Sequence, residues 1–180
     1  KDILSMAERA KAAGKIRHIG FSFHDELDVF KEILNGYDGW EFCQLQLNYM
    51  DVEYQAGLEG MRLAHEKGLA VVVMEPLRGG KLVNNLPESA LKIFANHPKG
   101  YTPAQWAFRW LWNQREVTVV LSGMNSMEMV LDNVATASAA SDIGHYVQLI
   151  KTHKDSLEFL CTATRTAKVV AKVFRSAACI

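Results

Sequence analysis

Four short runs of β-forming residues, each followed by helical spacing, limit what this chain can fold into. They are IRHIGF (16–21), EFCQLQL (41–47), LAVVVM (69–74) and VTVVLS (117–122). Helical spacing covers residues 2–13, 24–34, 54–68, 87–97, 102–114 and 126–138. Strand and helix patterns in alternation predict βαβ units, and so an α/β fold with a parallel sheet. LAVVVM holds no polar residue, as a strand buried on both faces requires. The helices serve as right-handed crossovers, and the helical hairpin at 86–114 makes one of them longer.

Local signals agree with this alternation. Gly14 and Gly68 stand where helices close. Thr102 and Pro103 read as an N-cap and a first helical residue. Leu27, Phe30, Ile33 and Leu34 form the buried stripe of one helix, and Trp106 and Trp110 share a face of another. Residues 142–160 have amphipathic helical spacing. The segment after Cys161 is basic and free of acids, and reads as helix or as nothing ordered.

The 180 residues suffice for one domain with a sizeable core. Twenty Lys and Arg balance twenty Asp and Glu, and no basic stripe points to nucleic acid. The apolar runs are strand-sized, so no membrane span is expected. KDILSMAERAKAAGK at the N-terminus is charged and helical, unlike a signal peptide. Cys43, Cys161 and Cys179 are widely spaced, which fits a reducing, cytoplasmic setting without a disulfide framework or a C-x-x-C metal pair.

In parallel α/β folds, chemistry gathers at the carboxyl ends of the strands. Four polar stretches follow the strands here: GFSFHD (20–25), QLQLNYMD (44–51), MEPLRGGKL (74–82) and SGMNSMEMVLDN (122–133). In the third, paired glycines leave backbone amides uncovered, and Arg78 and Lys81 add positive charge. That suits a phosphate, or simply a turn; neither standard nucleotide fingerprint is present. The fourth is either an anion site at a helix N-terminus or a Ser126 cap with Glu128 in the first turn. His24 reads as a general acid or base, or as a cap of the next helix. His18 reads as packed in a strand, and His65 as surface. No residue set has metal-ligand spacing.

Taken in order, GKIRHIGFS (14–22), FCQLQLNYMD (42–51), EKGLAVVVMEPLRGGKL (66–82) and VLSGMNSMEMVLDNV (120–134) resemble the aldo-keto reductases. The likeness is to the bacterial branch that often carries an iron–sulfur tail. The resemblance implies the C-terminal half of a (β/α)8 TIM barrel over residues 1–138, strands five to eight with their helices, then a helical tail over 139–180. It implies an oxidoreductase that transfers hydride from NADP(H) to a small-molecule carbonyl substrate.

The resemblance also implies roles. Ser22 and Gln44 match residues that hold the nicotinamide carboxamide, and Met74 stands where many members stack an aromatic ring. Glu75, Pro76, Leu77 and Gly79 match the loop beside the diphosphate. Gly123, Met124 and Asn125 match the loop around the adenosine phosphate. Asp132 and Asn133 match the pair that holds adenine.

Several positions depart from the pattern. Phe23 replaces a frequent Asn, and Met129 a frequent Arg or Gln. The family's catalytic Tyr, Lys, His and Asp come from the first four strands, and no position here matches them. The expected fragment carries most of the cofactor site and is inactive alone. The branch's Cys-Thr-Gly-Cys is absent after Cys161-Thr162, so no cluster is expected. Two other readings stand beside this one. Four open strands leave two unpaired edges, which suits a self-associating half-barrel acting as a nucleotide-binding or structural module. An unrelated α/β phosphate binder is the third.

Overall fold

The computed structural model describes residues 2–139 and 177–179. The chain begins with α1 (Ile3–Ala12), β1 (His18–Ser22), α2 (Leu27–Gly36) and β2 (Phe42–Gln46). It continues with α3 (Gly57–Glu66), β3 (Ala70–Met74), α4 (Lys81–Asn84), α5 (Glu88–Asn96) and α6 (Pro103–Trp112). β4 (Val117–Val120), α7 (Met127–Ser138) and β5 (Ala177–Cys179) complete the described elements. The strands form one sheet in the order β4-β3-β2-β1-β5, and every pairing is parallel.

The four expected strands are all present, with ends that differ by one or two residues. α4 is an addition: the glycine stretch runs into a single helical turn. β5 is the larger difference. Residues 177–179, expected helical or unordered, pair with β1 from His18 to Gly20. One of the two sheet edges expected to be open therefore carries a strand. The amphipathic pattern at 142–160 and Cys161 lie outside the described residues.

Local chemistry explains where the helices start. Thr102 caps α6 in a reciprocal capping box with Gln105, and Pro103 follows at the first helical position. The Ser126 side chain accepts from the Met129 amide and caps α7. His24 does not cap α2, which starts after Glu26 and makes no side-chain cap bond. His18 is exposed and not packed, with Nδ1 3.1 Å from Glu41 Oε1.

The two faces of the sheet differ. Phe21, Cys43, Leu45, Val71, Val73 and Val117 are buried in one cluster with Phe30 and Leu34 of α2, Met61 and Ala64 of α3, and Leu111 of α6. Strand side chains alternate between faces. The opposite face therefore carries Gly20, Ser22, Gln44, Gln46, Val72 and Met74, and no helix residue of the core cluster belongs to it. Gly20 on this face has no room for a side chain: an added Cβ would stand 2.5 Å from the Phe42 carbonyl oxygen and 2.6 Å from its ring.

Candidate functional site

Parallel register brings the ends of neighbouring strands together. Ser22 lies opposite Gln44, and Gln46 opposite Met74. The Leu121 amide donates to the Val73 carbonyl at 2.8 Å, which sets the end of β4 beside β3. The loops after β1, β2, β3 and β4 thus leave the same end of the sheet, with Ser22, Gln44 and Met74 on the face opposite the buried core cluster.

Gln44 is a buried polar residue on that face, 8% exposed. Its Nε2 donates to the Met74 thioether at 3.4 Å. A thioether is a weak acceptor, so a carboxamide would satisfy this amide better. The Phe23 amide donates to the Gln44 carbonyl at 2.9 Å, which leaves the Gln44 side chain uninvolved in the ladder. Phe23 itself is buried edge-to-face on Phe30, with ring centroids 5.0 Å apart, and belongs to the core.

The loop after β3 has an unusual backbone. Glu75, Arg78, Gly79 and Gly80 all have positive φ, at 57°, 50°, 61° and 84°. Glycine accepts this region freely, whereas a residue with a Cβ pays roughly 1–2 kcal/mol. Strain at Glu75 and Arg78 persists only where neighbours hold it. Pro76 is buried, and Glu75, Arg78 and Gly79 are exposed. Arg78 does not reach out as a free charge: its Nε lies 3.3 Å from Asp51 Oδ2.

Two residues that sequence reasoning passed over, Asn48 and Asp51, dominate this corner together with Arg78. Asn48 is fully buried. Its Nδ2 donates to Asp51 Oδ2 at 3.0 Å and to the Glu75 carbonyl at 3.2 Å. Its Oδ1 accepts from the Met50 and Asp51 amides at 3.0 and 2.9 Å. Asp51 Oδ2 also accepts from Gln46 Nε2 at 3.4 Å. Asn48, Asp51 and Arg78 stand inside two of the four polar stretches, but nothing local announces that one stretch holds the other. Beside them, the Tyr49 hydroxyl is buried with no hydrogen-bond partner among the described residues, and burial raises its pKa.

The end of β4 is bound to α7. Asn133 Nδ2 donates to Ser122 Oγ at 3.1 Å. Asp132 Oδ1 accepts from Gln105 Nε2 at 2.8 Å, so this carboxylate serves the contact between α6 and α7. Gly123, Asn125 and Met129 are exposed and Met124 is half-buried, and an added Cβ at Gly123 would meet nothing. Two surface cavities of about 230 and 300 Å³ lie elsewhere, around Leu34, Trp40, Lys67 and Leu69 and between α2 and α3. They open near the amino ends of β2 and β3 and have no part in this chemistry. Among the described residues, no three His, Cys, Asp or Glu side chains gather as metal ligands would. Nor does any described helix have the length and apolarity to cross a membrane.

A parallel sheet packed against helices, with polar groups at its carboxyl ends, defines an α/β protein. A profile of the Aldo/keto reductase family matches residues 1–149, and the chain belongs to that family. Among solved structures, the holo form of an aldo-keto reductase from Bacillus halodurans superposes with a TM-score of 0.62 at 26% identity. The match covers 81% of this chain and 54% of that one. An aldo/keto reductase from Klebsiella pneumoniae, in complex with NADP and acetate, is similar in fold with a TM-score of 0.58 at 22% identity. That match covers 83% of this chain and 52% of the other. The chain spans about half the length of the solved structures it matches. No match emerged among curated proteins.

Proposed function

We propose that these residues form the NADP(H)-binding part of a carbonyl-reducing enzyme. In this reading residues 1–138 are the C-terminal half of a (β/α)8 barrel, and the sheet face opposite the core cluster is the barrel interior. The observation that carries it is Gln44: a buried amide at the mouth of the sheet, beside Ser22, whose partner is a poor acceptor. When bound, the cofactor supplies hydride to a carbonyl carbon.

The chain's own part is to hold and orient the cofactor. Ser22 and Gln44 hold the carboxamide and so fix which ring face is presented, while Met74 packs against the ring. Glu75, Pro76, Leu77 and Gly79 run beside the diphosphate. Gly123, Met124, Asn125, Met129 and Asn133 take the adenosine end. Asp132 fits that role less well, since Gln105 already occupies one of its oxygens.

The family's proton-donating Tyr and its Lys, His and Asp partners have no counterpart in these 180 residues. The expected behaviour of the 180-residue chain is therefore cofactor binding without turnover, in a cytoplasmic setting. Fluorescence titration with NADPH tests this. Gln44→Ala and Asn133→Ala should each weaken binding about tenfold, the size expected for one lost buried polar contact of about 1.4 kcal/mol. Undiminished binding by both variants, or reduction of an aldehyde by the purified chain, would overturn the reading.

A second reading has its own observation. β4 is an edge strand among the described residues. Beside it α7 exposes Met127, Leu131 and Val134, at 66%, 64% and 57%. Unpaired edges favour association, so a self-associating half-barrel predicts a dimer in sedimentation at micromolar concentration. A clean monomer sinks it.

A further inference from the structure

We propose that Asp51, oriented by Asn48, is the positioning residue that keeps the Glu75–Gly80 loop in its cofactor-facing form. The inference rests on the cofactor reading above and adds residues which that reading does not use.

The loop cannot hold itself. Its internal bonds are short-range ones, from the Arg78 amide to Glu75, the Lys81 amide to Arg78 and the Leu82 amide to Leu77. Such bonds close turns, but none of them compels the left-handed backbone at Glu75 and Arg78. The hold comes from the neighbouring strand. Asn48, buried at the end of β2, fastens the Glu75 carbonyl. Asp51 fastens Arg78 through Oδ2, the same oxygen that receives Gln46 and Asn48.

Asp51 is itself fixed, because its amide donates to Asn48 Oδ1. One carboxylate oxygen therefore gathers donors from β2, from its own loop and from the glycine loop. Two of the left-handed residues, Glu75 and Arg78, are the anchored ones, and the other two, Gly79 and Gly80, directly follow the second anchor. The Gly79 and Gly80 amides donate no hydrogen bond among the described residues. A diphosphate oxygen meets them in this arrangement only while the loop keeps this form.

The test uses the full chain with Asp51→Asn, and Arg78→Gln at an exposed position as the second variant. Two readouts are taken. Hydrogen exchange follows residues 75–84 without ligand. Titrations use NADPH and, separately, adenosine 2′,5′-bisphosphate, which lacks the diphosphate. The expected result is exchange about tenfold faster in 75–84 alone, NADPH binding about tenfold weaker, and adenosine bisphosphate binding unchanged.

The double variant should lose no more than either single one, since both remove the same link. Unchanged exchange in both variants overturns the inference. So does an equal loss for the two ligands, or faster exchange throughout β2 and β3, which mark a merely structural role. If the unaltered chain binds no NADPH, the cofactor reading itself fails. Faster exchange in 75–84 would then leave Asp51 a brace without a cofactor role, and overturn the inference in a distinguishable way.

Discussion

Asn48→Asp changes one atom type at a fully buried position, and its cost should depend on pH in a calculable way. The native amide donates two hydrogen bonds, to the Asp51 carboxylate at 3.0 Å and to the Glu75 carbonyl at 3.2 Å. A carboxylate can donate neither, though it still accepts from the Met50 and Asp51 amides. The bond to a charged acceptor is worth about 1.5–3 kcal/mol and the neutral one about 1. Placing two carboxylates in contact adds repulsion, on the order of 4 kcal/mol at an effective dielectric of ~20 and ~4 Å.

The pair escapes most of that repulsion by keeping one proton. A net loss of about 4 kcal/mol at neutral pH follows, most of it the cost of holding that proton in neutral solution, and it shrinks to about 1 kcal/mol in mild acid, where the proton is held at little cost. The sign is explicit. The introduced group binds a proton more tightly in the folded chain than in the unfolded one. Its damage is therefore full above that folded pKa and fades as pH falls. Urea midpoints of both proteins across this range are the assay, and a chain of this size should lose roughly 8–16 °C of Tm at neutral pH. If Asn48→Asp matches the parent at neutral pH, or its deficit grows in acid, the network does not hold these loops as described.

Two further outcomes follow from groups away from the loops. Glu41 is pulled in two directions. Burial raises its pKa, and hydrogen bonds from Lys11, the Ile19 amide and His18 outweigh this, leaving it below the usual value. A carboxyl whose folded pKa is depressed gives stability that is present above its unfolded pKa and lost as pH falls through the folded one. Glu41→Gln should accordingly flatten the acid limb of the stability curve, and coincident limbs in urea titrations would refute it.

Burial pushes the Cys43 thiol up to about 12. It should resist alkylation in the folded chain and react in urea. Peptide mass analysis locates the label, and fast native labelling at Cys43 would contradict the packing.

The fold was legible because its signals are local. Period-two and helical spacing, the Thr102–Pro103 start and the Ser126 cap arise within a few residues of chain, so sequence alone specifies them. His18 was misread for the same reason. A strand position is assigned by its neighbours in sequence, but Glu41, 23 residues away, draws the ring to the surface. β5 gave no signal, since three small residues carry no period, and their pairing with β1 depends on a partner more than 150 residues distant.

The site divides along the same line. By itself the sequence determined an α/β chain with polar stretches at the carboxyl ends of its strands, and Ser22, Gln44, Met74 and Asn133 fall in those stretches. Tertiary structure alone decided that Gln44 turns to a thioether, that Asp132 is spent on Gln105, and that Asn48 and Asp51 hold a strained loop one strand away. The physical reason is range. Backbone periodicity is written in adjacent residues, whereas a buried hydrogen bond is decided by whichever groups the finished sheet brings within about 3 Å of each other.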